Sequence, residues 1–80
     1  MTRIYWQGSP VRECDVAKVE RLDQSEHDVS KGFVDGFLPK YQCWGNVCVN
    51  CHRQLGAGLG TGRGQRYEKQ DNGRFLKVEG

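Results

Sequence analysis

The sequence has no long hydrophobic run and little apolar material of any kind. Of its 80 residues only 36% are apolar, and no stretch approaches the 18 apolar residues of a membrane-spanning helix. Residues 1–10 lack the apolar segment of a secretory signal, so we expect a cytoplasmic protein without membrane contact. Chains this short seldom bury enough apolar surface to fold unaided. The sequence therefore predicts one small domain, residues 1–80, that needs additional stabilisation.

Histidine is nearly absent, and this argues against catalysis. The two histidines are His27 and His52. A nuclease with a small zinc-bound fold of the treble-clef type needs two or more suitably placed histidines for a catalytic metal and a general base. Cys51 and His52 are adjacent, and adjacent residues of a helix face different directions, so they do not form a nucleophile–base pair. We therefore expect the protein not to be an enzyme.

Cysteine, in contrast, is frequent for such a short chain, with Cys14, Cys43, Cys48 and Cys51. Cys48 and Cys51 form a C-x-x-C pair, whose two thiolates can face one metal ion. Disulfides do not persist in the reducing compartment expected here. All four cysteines are therefore the predicted ligands of a structural Zn²⁺ in a site made of thiolates alone. His27 and His52 remain alternatives for one of the four positions.

Turn signals and apolar periodicity predict a small α+β domain. Residues 3–6 and 74–78 read as short strands, 11–22 as either helix or strand, and 24–31 as a loop. Residues 33–38 form a predicted strand ended by Pro39, and 44–46 a turn. Residues 47–55 form a predicted helix, with Asn46 as its N-cap and Gly56 after its end. A β-hairpin followed by one short helix whose first turn carries C-x-x-C is the order of a treble-clef or zinc-ribbon-like domain.

The two tryptophans have alternative interpretations. Trp6 and Trp44 are expected to fill the core over the zinc site. An exposed tryptophan would instead indicate a protein-binding surface, because tryptophan is enriched among the residues that contribute most of the binding energy at protein interfaces.

Residues 56–80 form a glycine-rich, basic C-terminal segment, in which every second residue from 56 to 64 is glycine. The spacing fits neither a dinucleotide-binding fingerprint nor a Walker A loop. Three interpretations stay open: a packed turn beside the zinc helix, a backbone that phosphate or a partner strand approaches closely, and a flexible basic segment that contacts RNA or single-stranded DNA.

Charge is distributed unevenly along the chain. Residues 1–51 hold six basic and seven acidic side chains, net −1, whereas residues 52–80 hold six basic and three acidic, net +3. Basic residues with interleaved aromatics suit a nucleic acid. The predicted nucleic-acid contacts are Arg53, Arg63, Arg66, Tyr67 and Lys69. The alternative prediction is a protein–protein interaction module that docks on another protein and modulates it. The exposed strand edges expected in so small a domain also suggest a homodimer.

Residues 33–68 carry a resemblance to a known group. The run Phe33-Val34-Asp35-Gly36, then Trp44, then Cys48-x-x-Cys51-His52, then Gly58-Leu59-Gly60-Thr61-Gly62-x-Gly64-Gln65-x-Tyr67 resembles small phage-encoded zinc-finger proteins. Their pattern is close to F-x-D-G, G-P-W-A, M-C-x-x-C-H and G-x-G-L-G-T-G-x-G-Q-x-Y. The resemblance implies a zinc-binding viral protein that acts in a host cell, where the protein partner of the alternative prediction would be a host protein. It implies no particular activity.

The chain departs from that pattern at two positions. Ala17 stands where the group has the second cysteine of a first C-x-x-C, and Cys43 precedes Trp44 where the group has proline. We therefore predict that Cys43 replaces the missing fourth ligand. If so, the Cys43→Ser variant binds zinc poorly.

Overall fold

Four antiparallel strands form the centre of the fold, which a computed structural model describes for residues 2–80. They are β1 (Gly32–Leu38), β2 (Cys43–Val47), β3 (Gly64–Lys69) and β4 (Phe75–Glu79), and they lie in the order β2-β1-β3-β4. Two α-helices, α1 (Asp15–Glu20) and α2 (Val49–Leu55), and a 3₁₀ helix, Gln24–Glu26, complete the element order. The predicted small α+β class is confirmed, with a larger sheet and one helix more than the predicted hairpin and single helix.

Two segments differ from their predictions. Residues 43–47 form strand β2 rather than leading through a turn at 44–46, because they pair in register with β1 from Val34 to Leu38. Helix α2 begins at Val49, two residues later than expected, because the side chain of Cys48 rather than that of Asn46 accepts from a first-turn N–H group. The ambiguous stretch 11–22 contains helix α1, which ends where Arg21 adopts a left-handed conformation.

Alternate residues of β1 divide the sheet into two faces. Phe33, Asp35 and Phe37 lie on one side, which we call the aromatic face. At one end of this face Phe33 packs against the rings of Trp6, Tyr67 and Phe75, with centroids 5.1 to 5.3 Å away. Trp6 is half-buried in this cluster, whereas Trp44 remains 48% exposed. The expectation of a core role is therefore wrong for Trp44.

The other side of the sheet, which we call the helical face, contains a row of glycines. Gly45, Gly36 and Gly64 lie directly opposite one another on β2, β1 and β3. A Cβ atom on Gly36 would lie 2.7 Å from Cδ2 of His52, and one on Gly64 would lie 3.0 Å from its Nε2. The absence of these side chains lets α2 approach the sheet closely.

The glycine-rich stretch between α2 and β3 forms a tight connection. A Cβ on Gly56 would also collide with the ring of His52. The next three glycines of the alternation have positive φ angles, which side-chain-bearing residues rarely adopt. These are Gly58, Gly60 and Gly62. Gly56 and Gly64 pack against His52, as the packed-turn interpretation expects, whereas much of the loop between them is exposed. Residues Gly64–Lys69 are strand rather than flexible segment.

The N-terminal residues extend the sheet beyond β4. The N–H of Trp6 donates to the carbonyl of Phe75 at 2.8 Å, and the N–H of Lys77 donates to the carbonyl of Ile4 at 2.8 Å. Tyr5 forms an isolated antiparallel bridge with Leu76. The strand predicted for residues 3–6 is therefore reduced to this one bridge. Within the described part of the chain, no helix combines the length and the apolar content that crossing a membrane requires.

Candidate metal centre

Three thiols and one imidazole from separate parts of the sequence meet near the N-terminal ends of the two helices. The Sγ atoms of three cysteines and a ring nitrogen of a histidine all lie within 4.8 Å of one another: Cys14, Cys48, Cys51 and His27. The Nδ1 atom of His27 is 3.4 Å from Sγ of Cys48 and 3.3 Å from Sγ of Cys51. Nitrogen and sulfur ligands of one tetrahedral zinc ion are about 3.5 Å apart, given bond lengths near 2.0 and 2.3 Å. The geometry is therefore consistent with a bound metal ion.

Local structure aims the thiols at one point. Cys14 and Cys48 are the N-cap residues of α1 and α2, and Cys51 lies in the first turn of α2. The N–H of Cys51 donates to Sγ of Cys48 at 3.4 Å, and the N–H of Cys48 donates to Sγ of Cys14 at 3.4 Å. Such N–H groups, together with the positive ends of the helices, favour negatively charged sulfur. All four cysteines of the chain are free thiols, with no disulfide between them.

The loop that carries His27 is fastened directly to Cys14. The side-chain amide of Gln24 donates to the carbonyl of Cys14 at 3.2 Å, and its oxygen accepts from the N–H of Cys14 at 3.1 Å. The carboxylate of Asp23 caps the 3₁₀ helix by accepting from the N–H and hydroxyl of Ser25. These contacts hold the short helix, and therefore the histidine that follows it, beside the thiols.

Burial keeps one thiol of the cluster, that of Cys51, protonated. Cys14 is fully buried, and Cys48 and Cys51 are each 6% exposed. Burial first, and then the neighbouring thiols of Cys48 and Cys14, raise the pKa of Cys51 to about 12. Without a metal ion this thiol stays protonated at neutral pH, so a metal ion must displace its proton when it binds.

The expected set of four cysteine ligands needs one correction, because Cys43 lies outside the cluster and is exposed. It begins strand β2, and Cys48 directly follows the end of that strand. Five extended residues separate two Cα atoms by about 17 Å, which is far too much for two ligands of one ion. His27 takes the fourth position instead. The strand conformation of residues 43–47, which results from pairing with β1, is what excludes Cys43.

The other alternative ligand, His52, points away from the cluster. It is buried against the helical face, where its ring fits over the backbone of Gly36 and Gly64. Its Nε2 atom is buried and has no hydrogen-bond partner among the described residues. The prediction that His52 turns away from a metal bound by Cys51 agrees with this placement.

The predicted nucleic-acid contacts differ in exposure and in the contacts that they make. Arg53, Arg63 and Lys69 are exposed. Arg66, however, is engaged by Glu68 at 2.6 Å and by Glu79 at 2.7 Å. Tyr67 is 8% exposed and stacks on Phe33, so its ring is not free to stack on a base. As consecutive residues of a strand, Arg66 and Tyr67 also face opposite sides of the sheet.

Comparisons of this chain with protein-family models, with curated proteins and with solved structures find no match. The resemblance to small phage zinc-finger proteins, and the viral origin that it implies, therefore stay predictions. The cluster itself is the basis for the functional proposals below.

Proposed function

We propose that the protein is a small, non-enzymatic binding domain held together by a structural zinc ion. The observation that carries this proposal is the donor set of Cys14, His27, Cys48 and Cys51. Three thiolates and one imidazole fill all four positions of tetrahedral Zn²⁺, which leaves none for water or a substrate. Such closed sites are structural rather than catalytic. Assignment to the treble-clef class is part of the proposal, supported by the metal-binding pair at the start of α2 after a β-hairpin.

The small core supports a structural role for the ion. Of the buried apolar side chains among the described residues, three are cysteines of the cluster itself. A structural zinc supplies about 10–16 kcal/mol of apparent folding free energy, which would stabilise such a small core. We therefore expect the domain to unfold, or to lose its tertiary packing, when the ion is removed.

The metal centre is tested by the metal content of the purified protein and by melting it before and after chelation. We expect one zinc per chain and loss of cooperative melting after chelation. The variants His27→Ala and Cys48→Ser should lose metal. Cys43→Ser is the matched control, since Cys43 lies outside the cluster, and it should keep full occupancy and an unchanged melting temperature. Poor zinc binding by Cys43→Ser with full occupancy in His27→Ala would contradict the proposal.

A protein is the partner that the surface favours. Trp44 is 48% exposed, and its ring lies 6.2 Å from that of Phe37 on the aromatic face. An exposed tryptophan beside a second aromatic ring is typical of interaction hot spots. The zinc ion would then act indirectly, by keeping the sheet that presents these rings folded.

Nucleic-acid binding is the second candidate function, with a reduced set of contacts. Arg53 and Arg63 are exposed and have no carboxylate partner among the residues described. Binding through these side chains should weaken steeply with salt, because each phosphate contact releases a counterion. The variant Arg53→Gln/Arg63→Gln should then lower the affinity for a single-stranded oligonucleotide and reduce the salt slope by about 1 for each arginine neutralised. An unchanged slope would remove this candidate. Each single variant, Arg53→Gln and Arg63→Gln, is compared with Arg12→Gln, which removes one positive charge on the other half of the chain and is their charge-matched control.

A further inference from the structure

One half of the aromatic face holds a carboxylate, that of Asp35, for which the described residues provide no salt bridge. Phe37 pairs with Trp44 of β2, and Asp35 pairs with Asn46 of β2 and with Gln65 of β3. Directly opposite residues share a face, so all five side chains stand on the same side of the sheet. We call Asp35, Phe37, Trp44, Asn46 and Gln65 the open patch. Its other end meets the buried cluster around Phe33 and Tyr67.

Asp35 is a carboxylate without a counterion. It stands on central strand β1, and no salt bridge to it occurs among the described residues. Its neighbours in the patch are aromatic or carry uncharged amides. Desolvation by burial raises the pKa of Asp35 above its usual range. A partly buried charge without a partner costs free energy, and a cation brought by another molecule would recover it.

The aromatic pair lies next to this carboxylate. The rings of Phe37 and Trp44 are 6.2 Å apart and inclined at 65°, and Trp44 is about half exposed. Residues i and i+2 of a strand are about 7 Å apart, so one side chain can reach both Asp35 and the rings.

We propose that the open patch binds an arginine side chain of a protein partner. A guanidinium group is planar, so it stacks on the face of Trp44 while its N–H groups donate to the carboxylate of Asp35. A lysine ammonium offers neither the plane nor the paired donors. A nucleic acid does not fit, because Asp35 would repel its phosphates. This inference rests on the proposed protein-binding function and specifies the chemistry of its partner.

The test is an amide and indole NMR titration of the zinc-loaded protein with N-acetyl-arginine-N-methylamide. We expect saturable shifts of the Trp44 indole N–H and of the amides of Asp35 and Gln65. The uncharged isostere N-acetyl-citrulline-N-methylamide should produce much smaller shifts. Asp35→Asn should weaken binding about tenfold, the effect of losing a charge-assisted hydrogen bond. Asp71→Asn, which removes an exposed carboxylate elsewhere, is the control and should leave the affinity unchanged.

Four outcomes would overturn the inference. The first two are equal shifts with the citrulline compound and unchanged arginine binding in Asp35→Asn. The third is a Trp44 shift that depends on protein concentration, which would show that a second copy of the chain covers the patch. The fourth is an oligonucleotide that binds at Trp44, and binds more tightly in Asp35→Asn. Zinc content measured on the same samples separates the two proposals. A protein that holds zinc but does not bind the arginine probe contradicts this inference alone, whereas a protein without zinc contradicts the proposed function.

Discussion

Single residues at two places determine how the helical face packs. His52 occupies the space over Gly36 and Gly64 that side chains would otherwise fill. Glycine is therefore needed at both positions because it has no Cβ atom, and the imidazole ring lies almost against the backbone there. This close packing of a ring against the backbone occurs on the helical face. On the aromatic face β1 carries the large side chains Phe33 and Phe37 instead.

Substituting Gly36 by alanine tests this packing. The added Cβ would lie 2.7 Å from Cδ2 of His52, so the ring or the helix must shift. We expect a loss of about 1–3 kcal/mol in the free energy of unfolding, as for other overpacked sites. Denaturant unfolding of the zinc-loaded protein measures it.

A double-mutant cycle supplies the control. In the His52→Ala background the collision is gone, so Gly36→Ala should cost much less than in the natural chain. Equal costs in both backgrounds would show that the destabilisation does not come from contact with His52.

At the scale of the element, helix α1 ends in a conformation that its sequence does not favour. Arg21 has φ 57° and ψ 44°, the left-handed region. The N–H of Leu22 donates to the carbonyl of Ala17 at 2.8 Å across this turn, a pattern in which glycine is usual. The turn redirects the chain from α1 into the segment that carries Gln24 and His27, so the strain lies on the path to the metal centre.

Arg21→Gly should therefore stabilise the protein. Glycine adopts the left-handed conformation without the cost of about 1–2 kcal/mol that other residues bear, although part of this gain is offset by the freer unfolded chain. We expect the free energy of unfolding to rise by up to about 1 kcal/mol, measured by denaturant unfolding. Arg21→Ala removes the same side chain without relieving the backbone, and a gain of the same size there would contradict the explanation.

At the scale of the whole molecule, the cluster joins three segments that are far apart in the sequence. Residue 14 precedes α1, residue 27 follows the 3₁₀ helix, and residues 48 and 51 start α2. One ion at this point would fix both helices and the intervening loop against the sheet. This arrangement suits a chain whose largest fully buried side chains are Phe33, Val34, Val47 and Cys14.

Metal affinity should fall as the pH is lowered. The raised pKa of Cys51, about 12 without metal, means that its thiol is protonated throughout the neutral range. Metal binding must displace this proton, and each displaced proton weakens binding about tenfold for every unit by which the pH falls. Stability gained from the ion is therefore present at neutral and alkaline pH and is lost in acid.

Competition with a chromophoric chelator at pH 7 and pH 6, corrected for the chelator's own protonation, measures this dependence. We expect the apparent zinc affinity to fall at least about tenfold between the two values. An affinity that does not change would show that the thiols are already deprotonated before the ion binds.

Local signals in the sequence determined a good part of this protein. The C-x-x-C pair, with Asn46 before it and Gly56 after Leu55, indicated a helix with two ligands in its first turn, and Cys48 and Cys51 start α2. The apolar residues of 33–38, ended by Pro39, indicated β1. The weak core and the cysteine count indicated a metal centre. These conclusions hold because spacing along a helix or strand fixes which neighbouring side chains share a side.

Only the tertiary structure decided between Cys43 and His27. Each is connected to the C-x-x-C pair by a segment whose conformation depends on long-range pairing. Once residues 43–47 pair with β1 as a strand, Cys43 is carried away from Cys48, and the loop tied to Cys14 by Gln24 brings in His27. Long-range pairing likewise buried Tyr67, engaged Arg66 with glutamates and left Asp35 and Trp44 on an open surface. Distances across the sheet depend on strand register, which no local pattern in one sequence specifies.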